Sequence, residues 1–412
     1  MGYEKDRMMQ LEERGYGTST KKVCSCCVQD EYLKKLIRLN GEVGECDYCK
    51  DQKGRKVKTR KVVTVEKLMS FMMPAIRTYY QLAEYDTFDD EKTIFDPYDF
   101  VHEEIQRNIE TPHDELLMEL TDVLDFDDRT ENDSAYVKTY EQDIKKWNEF
   151  CQLVNARLES AEQIVSLCYR TDAPDDLKEI RKIMQGVLAS AEKMNMTDTI
   201  RPYNTIYRAV NYLKMGDVTQ GFNCITAGAI GTAPPKNVKN NRFSEVGDMM
   251  FYGAYNKDIV KKELGKSSNP YTIGLFHTNK QIRVLNFSGI QSWRKPSLFD
   301  LENKEKRDSW FFLDTFIHMI SKDVQNQSDD AIEKEYKPTQ VFTKFIQRST
   351  KYYGIEYRSS KSTAKDNNDA VVKDRCYVLY VTSRDCIDEY ERARKLDKKH
   401  LQMIMESYIQ VP

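Results

Sequence analysis

Apolar residues recur at three- and four-residue steps along Val65–Ala83, Glu141–Leu167 and Leu177–Met194. That spacing puts them on one face and predicts three amphipathic helices. In the second, Ile144, Trp147, Phe150, Val154 and Leu158 share the face. The acidic stretch Asp122–Asp133 between them reads as a loop. Beyond Thr199 the period changes, and short apolar runs alternate with turns. Ile206–Val210, Met249–Ala254, Tyr353–Arg358 and Cys376–Val381 read as strands, the last of these being the final strand. Tyr271–Phe276 and Gln281–Phe287 flank the turn His277–Lys280 and predict a hairpin. Trp310–Ser321 and Pro338–Tyr352 predict helices, and the charged segment Arg384–Tyr408 a terminal one. Strands and helices do not alternate regularly, so the fold class is α+β rather than a doubly wound sheet.

The texture divides the chain into residues 1–60, 61–198 and 199–412. A length of 412 residues accommodates several cores. Hydrophobic residues make up 40% and charged residues 31%, a globular composition. No apolar run reaches the 18 residues that a membrane helix needs, and the charged start lacks a signal-peptide core. The expectation is a cytoplasmic protein. A net charge of -3 gives no general electrostatic case for nucleic acid. The basic stretch Lys50–Lys67 is the local exception, read as a solvated linker ahead of an anion-binding patch.

Ten cysteines in a reducing compartment are expected as thiols or metal ligands. Cys24 and Cys27 form one CxxC knuckle, and Cys46 and Cys49 a second, at the separation of a four-cysteine zinc site. With all four positions filled by thiolates, the metal would be structural, not catalytic. Cys26 is a spare thiol. Arg107 and His113 have the Arg-x5-His spacing of HEPN-type ribonucleases. Pro112 sits between them and disfavours one continuous helix, so the pair reads as surface residues. Gly228 and Gly231 do not make a dinucleotide fingerprint.

The most informative stretch is Arg242–Glu263. An arginine in a polar turn leads into the run Met249–Ala254, and Asn256 then caps a short helix through Glu263. Taken with Arg208 and Ser359, the groups suit one kind of ligand. Two guanidinium forks match a pyrophosphate. A strand-borne Tyr252 can stack on a flat cationic ring. Glu263 can contact a ribose and stabilise an oxocarbenium-like centre. Ser359 can orient a hydroxyl or phosphate. NAD carries all of these parts. Each residue alone also has a plain structural reading, as ion-pair partner, core aromatic, solvated acid or strand-end cap.

From about Arg201 to Val381 the chain resembles the RES family. Arg208 lies in a Tyr-Arg-Ala setting. Asn241-Arg242-Phe243 resembles the family's Gly-Arg-Trp/Phe, and Phe251-Tyr252-Gly253-Ala254 its strand ending in Tyr-Leu-Ala. Glu263 follows on a helix. Tyr336-Lys337-Pro338-Thr339-Gln340 resembles its Tyr-x-Pro-Thr-Gln helix entry, and Tyr353-Gly354-Ile355-Glu356-Tyr357-Arg358-Ser359 its Asp-Gly-Ile-x-Tyr-x-Ser element. The departures are Asn241, Gly253 and Tyr353. The first half resembles the zinc-knuckle and HEPN-like extension found before some RES domains. The resemblance implies an ADP-ribosyltransferase-like fold that consumes NAD as a toxin or defence effector, cleaving the nicotinamide–ribose bond by phosphorolysis or hydrolysis. Arg208 and Arg242 would bind phosphates, Tyr252 the nicotinamide end, Glu263 the ribose, and Ser359 the ribose or the incoming nucleophile. It leaves room for phosphate as co-substrate, for an antitoxin or sensor protein as partner, and for a homo-oligomer. A lid or partner surface is expected between Gly289 and Lys337. The alternatives are a protein ADP-ribosyltransferase, and a zinc-dependent interaction or RNA-processing module.

Overall fold

The structure, a computed structural model, describes residues 13–50, 56, 60–83, 94–124, 127–131, 137–202, 204–211, 227–264, 271–288, 295–321, 328–359, 374–388 and 401–410. It is mixed helix and sheet, an α+β protein. No helix among the described residues is long and apolar enough to cross a membrane. The chain forms two compact units: residues 1–142 with 295–308, and residues 143–294 with 309–412. This division falls elsewhere than the boundaries at 60 and 198 read from texture, and it takes a segment of the later chain into the first unit.

In the first unit, β1 (Lys22–Cys24), β2 (Glu42–Gly44) and β3 (Arg60–Thr64) form an antiparallel sheet in the order β1-β3-β2. Thus part of the basic stretch Lys50–Lys67 is strand rather than linker, and 51–55 and 57–59 lie outside the described residues. Helix Glu31–Asn40 packs against this sheet, capped by the Asp30 carboxylate on the Leu33 amide and burying Leu33 and Ile37. Helix Val65–Tyr79 buries Leu68, Met69, Met72, Ile76 and Tyr79, the expected stripe, but stops short of Ala83. Two consecutive tyrosines favour extended backbone there. β4 (Tyr80–Leu82) pairs with β6 (Arg129–Glu131), which also pairs with β5 (Ile94–Phe95). The acidic segment is therefore partly strand, where a loop was expected. Leu298 and Phe299 from the returning segment are buried in this unit's core, and the Arg307 guanidinium lies 5.4 Å from the Tyr79 ring centre.

In the second unit, the helix expected over Glu141–Leu167 is broken into Val137–Asn155 and Ala161–Cys168. Ser160 accepts from the Gln163 amide and Gln163 answers to the Ser160 amide, a reciprocal capping box that starts the second helix. Trp147, Phe150 and Val154 are buried as read, whereas Leu158 falls in the break and is fully exposed. Asp175–Lys193 is the third helix.

The large sheet comprises β7 (Thr197–Ile200), β8 (Thr205–Asn211), β9 (Phe251–Ala254), β10 (Tyr271–Thr278), β11 (Ile282–Phe287), β12 (Gly354–Arg358), β13 (Arg375–Leu379), β14 (Cys386–Asp388) and β15 (Leu401–Gln410). Their order is β14-β15-β10-β8-β9-β13-β12-β11-β7. β10 and β11 do not form the expected hairpin; they pair with β8 and β12 instead. In a flat sheet five strand steps would place them about 24 Å apart. The three residues between them span at most about 14 Å. The sheet must therefore fold over, and the hinge falls where β8 and β9 share one pair, Tyr207 opposite Ala254. Ile206, Phe251, Phe276, Ile282, Val284 and Leu379 fill the fold.

The expected C-terminal helix Arg384–Tyr408 is also overturned. β14 and β15 are strands, with 389–400 outside the described residues. β15 covers the outer edge of β10 with backbone pairing, which outweighs the local helical charge pattern. Lys304–Ser321 and Asp329–Ser349 are helices, the latter carrying Pro338 in its interior instead of at its start. Phe312, Leu313, Phe316 and Ile317 are core residues, so this part of the expected lid segment is built into the second unit.

A buried polar chain crosses the far end of the sheet. The Ser288 hydroxyl donates to Glu356 at 2.6 Å, and Arg375 Nε lies 3.1 Å from the same carboxylate oxygen. Burial pushes the Glu356 carboxyl up to about 7, against the opposing pull of Arg375 and Ser288. As pH rises from the ordinary carboxylate range to about 7, the unfolded chain loses this proton first, and stability falls. Above that the effect is constant, at roughly 3 kcal/mol. Glu356→Gln should flatten this part of the profile. Melting temperatures of both proteins at pH 5 and pH 8 check it, and an unchanged difference would count against it.

Candidate functional site

Arg208 sits in the middle of β8, beside the hinge. Its Nε donates to the carbonyls of Ile230 at 2.8 Å and Gly231 at 3.1 Å, and a terminal nitrogen donates to the Tyr252 carbonyl at 2.7 Å. The guanidinium carbon lies 5.2 Å from the Phe251 ring centre. Burial lowers its pKa from the ordinary arginine value. These contacts make Arg208 a clamp across β8 and β9.

On β9, Tyr252 meets the Ser244 hydroxyl at 2.8 Å. Burial raises its phenol above the ordinary range, so the ring stays neutral. Gly253 answers to packing: a Cβ there would lie 2.6 Å from Ile206 and 2.9 Å from the Tyr207 carbonyl, so only glycine lets the two strands meet. The helix after β9 is Lys257–Glu263, and its cap is Asn256, whose side chain accepts from the Asp258 amide at 2.8 Å. Cap and helix are as the sequence predicts and the strand starts two residues later, at Phe251; together they deliver Glu263 to the cleft at the helix end. Ser359, buried just past β12, donates its hydroxyl to Glu263.

Arg208, Tyr252 and Glu263 line one cavity of about 360 Å³, together with Lys239, Tyr357 and Cys376. Ser359 joins them through Glu263. Arg242 is the exception among the expected residues. Its guanidinium donates to the Ile320 carbonyl at the end of helix Lys304–Ser321 and stands 5.4 Å from the Tyr336 ring centre. It does not line the cavity. A carbonyl of the last helical turn has no intrahelical partner and sits at the negative dipole end, which is where a guanidinium is favoured.

Sequence reasoning missed Lys239 and Gln340. Gln340, buried in helix Asp329–Ser349, donates to Asn240 Oδ1 and the Asn241 carbonyl, both at 2.7 Å, and reaches the Ser244 carbonyl at 3.2 Å. It fixes the turn in which Asn241 and Ser244 exchange backbone hydrogen bonds. The Thr339-Gln340 pair reads as a helix entry in the sequence; its tertiary partners have no signature in the spacing. Lys239 carries no local signal that separates it from a surface lysine.

In the first unit the four predicted cysteines converge. Cys24, Cys27, Cys46 and Cys49 are all buried, and their ligand atoms lie within 4.8 Å of one another. Sulfur separations of 3.4 to 3.7 Å compare with about 3.8 Å for the edge of a zinc–thiolate tetrahedron with 2.3 Å bonds. None is in a disulfide, and Cys26 is exposed outside the cluster. The cluster suits a structural metal such as zinc. Arg60 stands over it, 3.1 Å from Cys49 Sγ and 3.5 Å from Cys24 Sγ, and offsets thiolate charge.

Arg107 and His113 lie on different elements. Arg107 is exposed, paired with Glu104 at 2.8 Å in the short helix Gln106–Ile109, and His113 is the N-cap residue of helix Asp114–Val123. Glu110 between them is left-handed, with φ 48°.

A family model described as HEPN/RES N-terminal domain 1 matches residues 39–159. This agrees with the likeness read from the cysteines and helices of the first half. No curated protein and no solved structure matches the chain.

Proposed function

We propose that this chain is an NAD-degrading enzyme of the RES kind, cleaving the nicotinamide–ribose bond in the cavity beside the hinge of the folded sheet. One observation carries the reading. Arg208, 44 residues before Tyr252, lines the same cavity as Tyr252 and Glu263, and the distant Ser359 hydroxyl is hydrogen-bonded to Glu263. The ADP-ribosyltransferase-like fold rests on the same resemblance.

In this reading the nicotinamide ring lies against Tyr252, drawn by cation–π attraction. The Glu263 carboxylate stands by the ribose and stabilises positive charge as the C–N bond breaks. The bonding electrons leave with nicotinamide, which departs neutral and needs no general acid. Ser359 holds the carboxylate in place. Attack by water gives ADP-ribose and a proton; attack by phosphate gives ADP-ribose 1″-phosphate. The activity suits a cytoplasmic toxin or defence effector, and such an activity calls for a restraining partner.

The test follows NAD loss by the purified full chain with and without phosphate, identifying products by mass. Loss that requires phosphate is expected of a phosphorylase, and loss without it of a glycohydrolase. ADP-ribose appearing on a protein acceptor would assign a transferase. If NAD persists and no acceptor is labelled, the reading fails.

A further inference from the structure

The cavity needs cations if its ligand carries phosphates, and the structure distributes them differently from the sequence motif. Arg242 is held at the Ile320 carbonyl and the Tyr336 ring. Arg208 lines the cavity, but three backbone carbonyls take its Nε and one terminal nitrogen. Lys239 also lines the cavity, and its ammonium has no hydrogen-bond or ion-pair partner among the described residues. Its backbone is fixed. The Asn241 amide donates to the Lys239 carbonyl at 2.7 Å, and Gln340 pins Asn240 and Asn241 from below.

We infer that Lys239, in place of Arg242, is the second cation that meets an anionic diphosphate group in this cavity. The inference deepens the reading of the site as an NAD cavity and rests on it for the natural ligand, but not for the anion chemistry. An ammonium on a four-carbon stem reaches a phosphate as a point charge with three donors and adapts to ligand position. Arg208, pinned, presents a fixed edge. The division resembles a wall and a movable finger: one group defines where the diphosphate lies, the other closes on it. Arg242 then acts at a distance, by holding the end of helix Lys304–Ser321 against the turn that carries Lys239.

The experiment titrates inorganic pyrophosphate and ADP-ribose into the full chain by calorimetry, for the wild type, Lys239→Ala, Lys239→Arg and Arg242→Lys. Losing one charge-assisted contact should weaken both ligands about tenfold or more in Lys239→Ala. Lys239→Arg should restore most of the affinity, and adenosine binding, which lacks a diphosphate, should be the same in Lys239→Ala and wild type. Unchanged pyrophosphate affinity in Lys239→Ala overturns the inference, as does a wild type that binds no pyrophosphate. A large loss in a folded Arg242→Lys with none in Lys239→Ala returns the role to Arg242. Pyrophosphate binding that depends on Lys239, without ADP-ribose binding, upholds Lys239 and removes NAD as the ligand.

Discussion

Glu263→Gln is expected to reduce NAD loss by about two to three orders of magnitude while leaving the protein folded. The substitution keeps the shape and an oxygen that can still accept from Ser359. What it removes is the negative charge that the proposed reaction would set beside the ribose. Glu263 is exposed at the end of helix Lys257–Glu263, so the stability cost should lie within about 0.5 kcal/mol. Ser359→Ala should have a smaller effect on turnover, because it loosens the carboxylate without deleting it. Rates of nicotinamide release, with circular dichroism and melting temperature alongside, separate catalysis from folding. Near-wild-type turnover by Glu263→Gln would remove the carboxylate from the mechanism.

The second large effect concerns the four-cysteine cluster. One zinc per chain is expected, and removing it, or replacing Cys27 by Ser, should unfold the sheet formed by β1, β2 and β3. These strands are three to five residues long, and such a sheet is not stable by itself. A metal held by Cys24, Cys27, Cys46 and Cys49 would tie the end of β1 to the turn after β2, and its binding energy, roughly 10 kcal/mol or more, would become folding energy. Metal content per chain, and limited proteolysis before and after chelation, check this. New cleavage should begin within residues 20–64. A chelated protein that stays resistant there would show that the cysteines pack adequately as thiols.

Much of the site was legible because its signals are local. The apolar run Met249–Ala254, the Asn256 cap and the helix to Glu263 need only near neighbours, and so does the pair of CxxC knuckles. What failed depended on partners distant in sequence. The His277–Lys280 turn looks like a hairpin, but β10 and β11 are claimed by β8 and β12 across the folded sheet. The charges after Arg384 suggest a helix, but the outer edge of β10 takes β15 as a strand. The bond from Arg242 to the end of helix Lys304–Ser321 likewise has no local signal in the sequence. The break at Ser160 differs in kind, because its Ser-x-x-Gln capping box is a local signal that the helical period of the flanking residues masks.

The segment Lys295–Asp308 has a consequence for the order of events in synthesis. The first unit takes Leu298 and Phe299 into its core, yet these residues are made long after its other members. Domains ordinarily fold as they emerge, the earliest first. Here the core of the opening unit lacks Leu298 and Phe299 until the ribosome has passed them, by which point the chain of β7–β11 has already been made. A nascent chain therefore carries this gap in its N-terminal core from residue 142 until the segment 295–308 arrives, and during that interval the apolar surface that Leu298 and Phe299 would cover is open to chaperones.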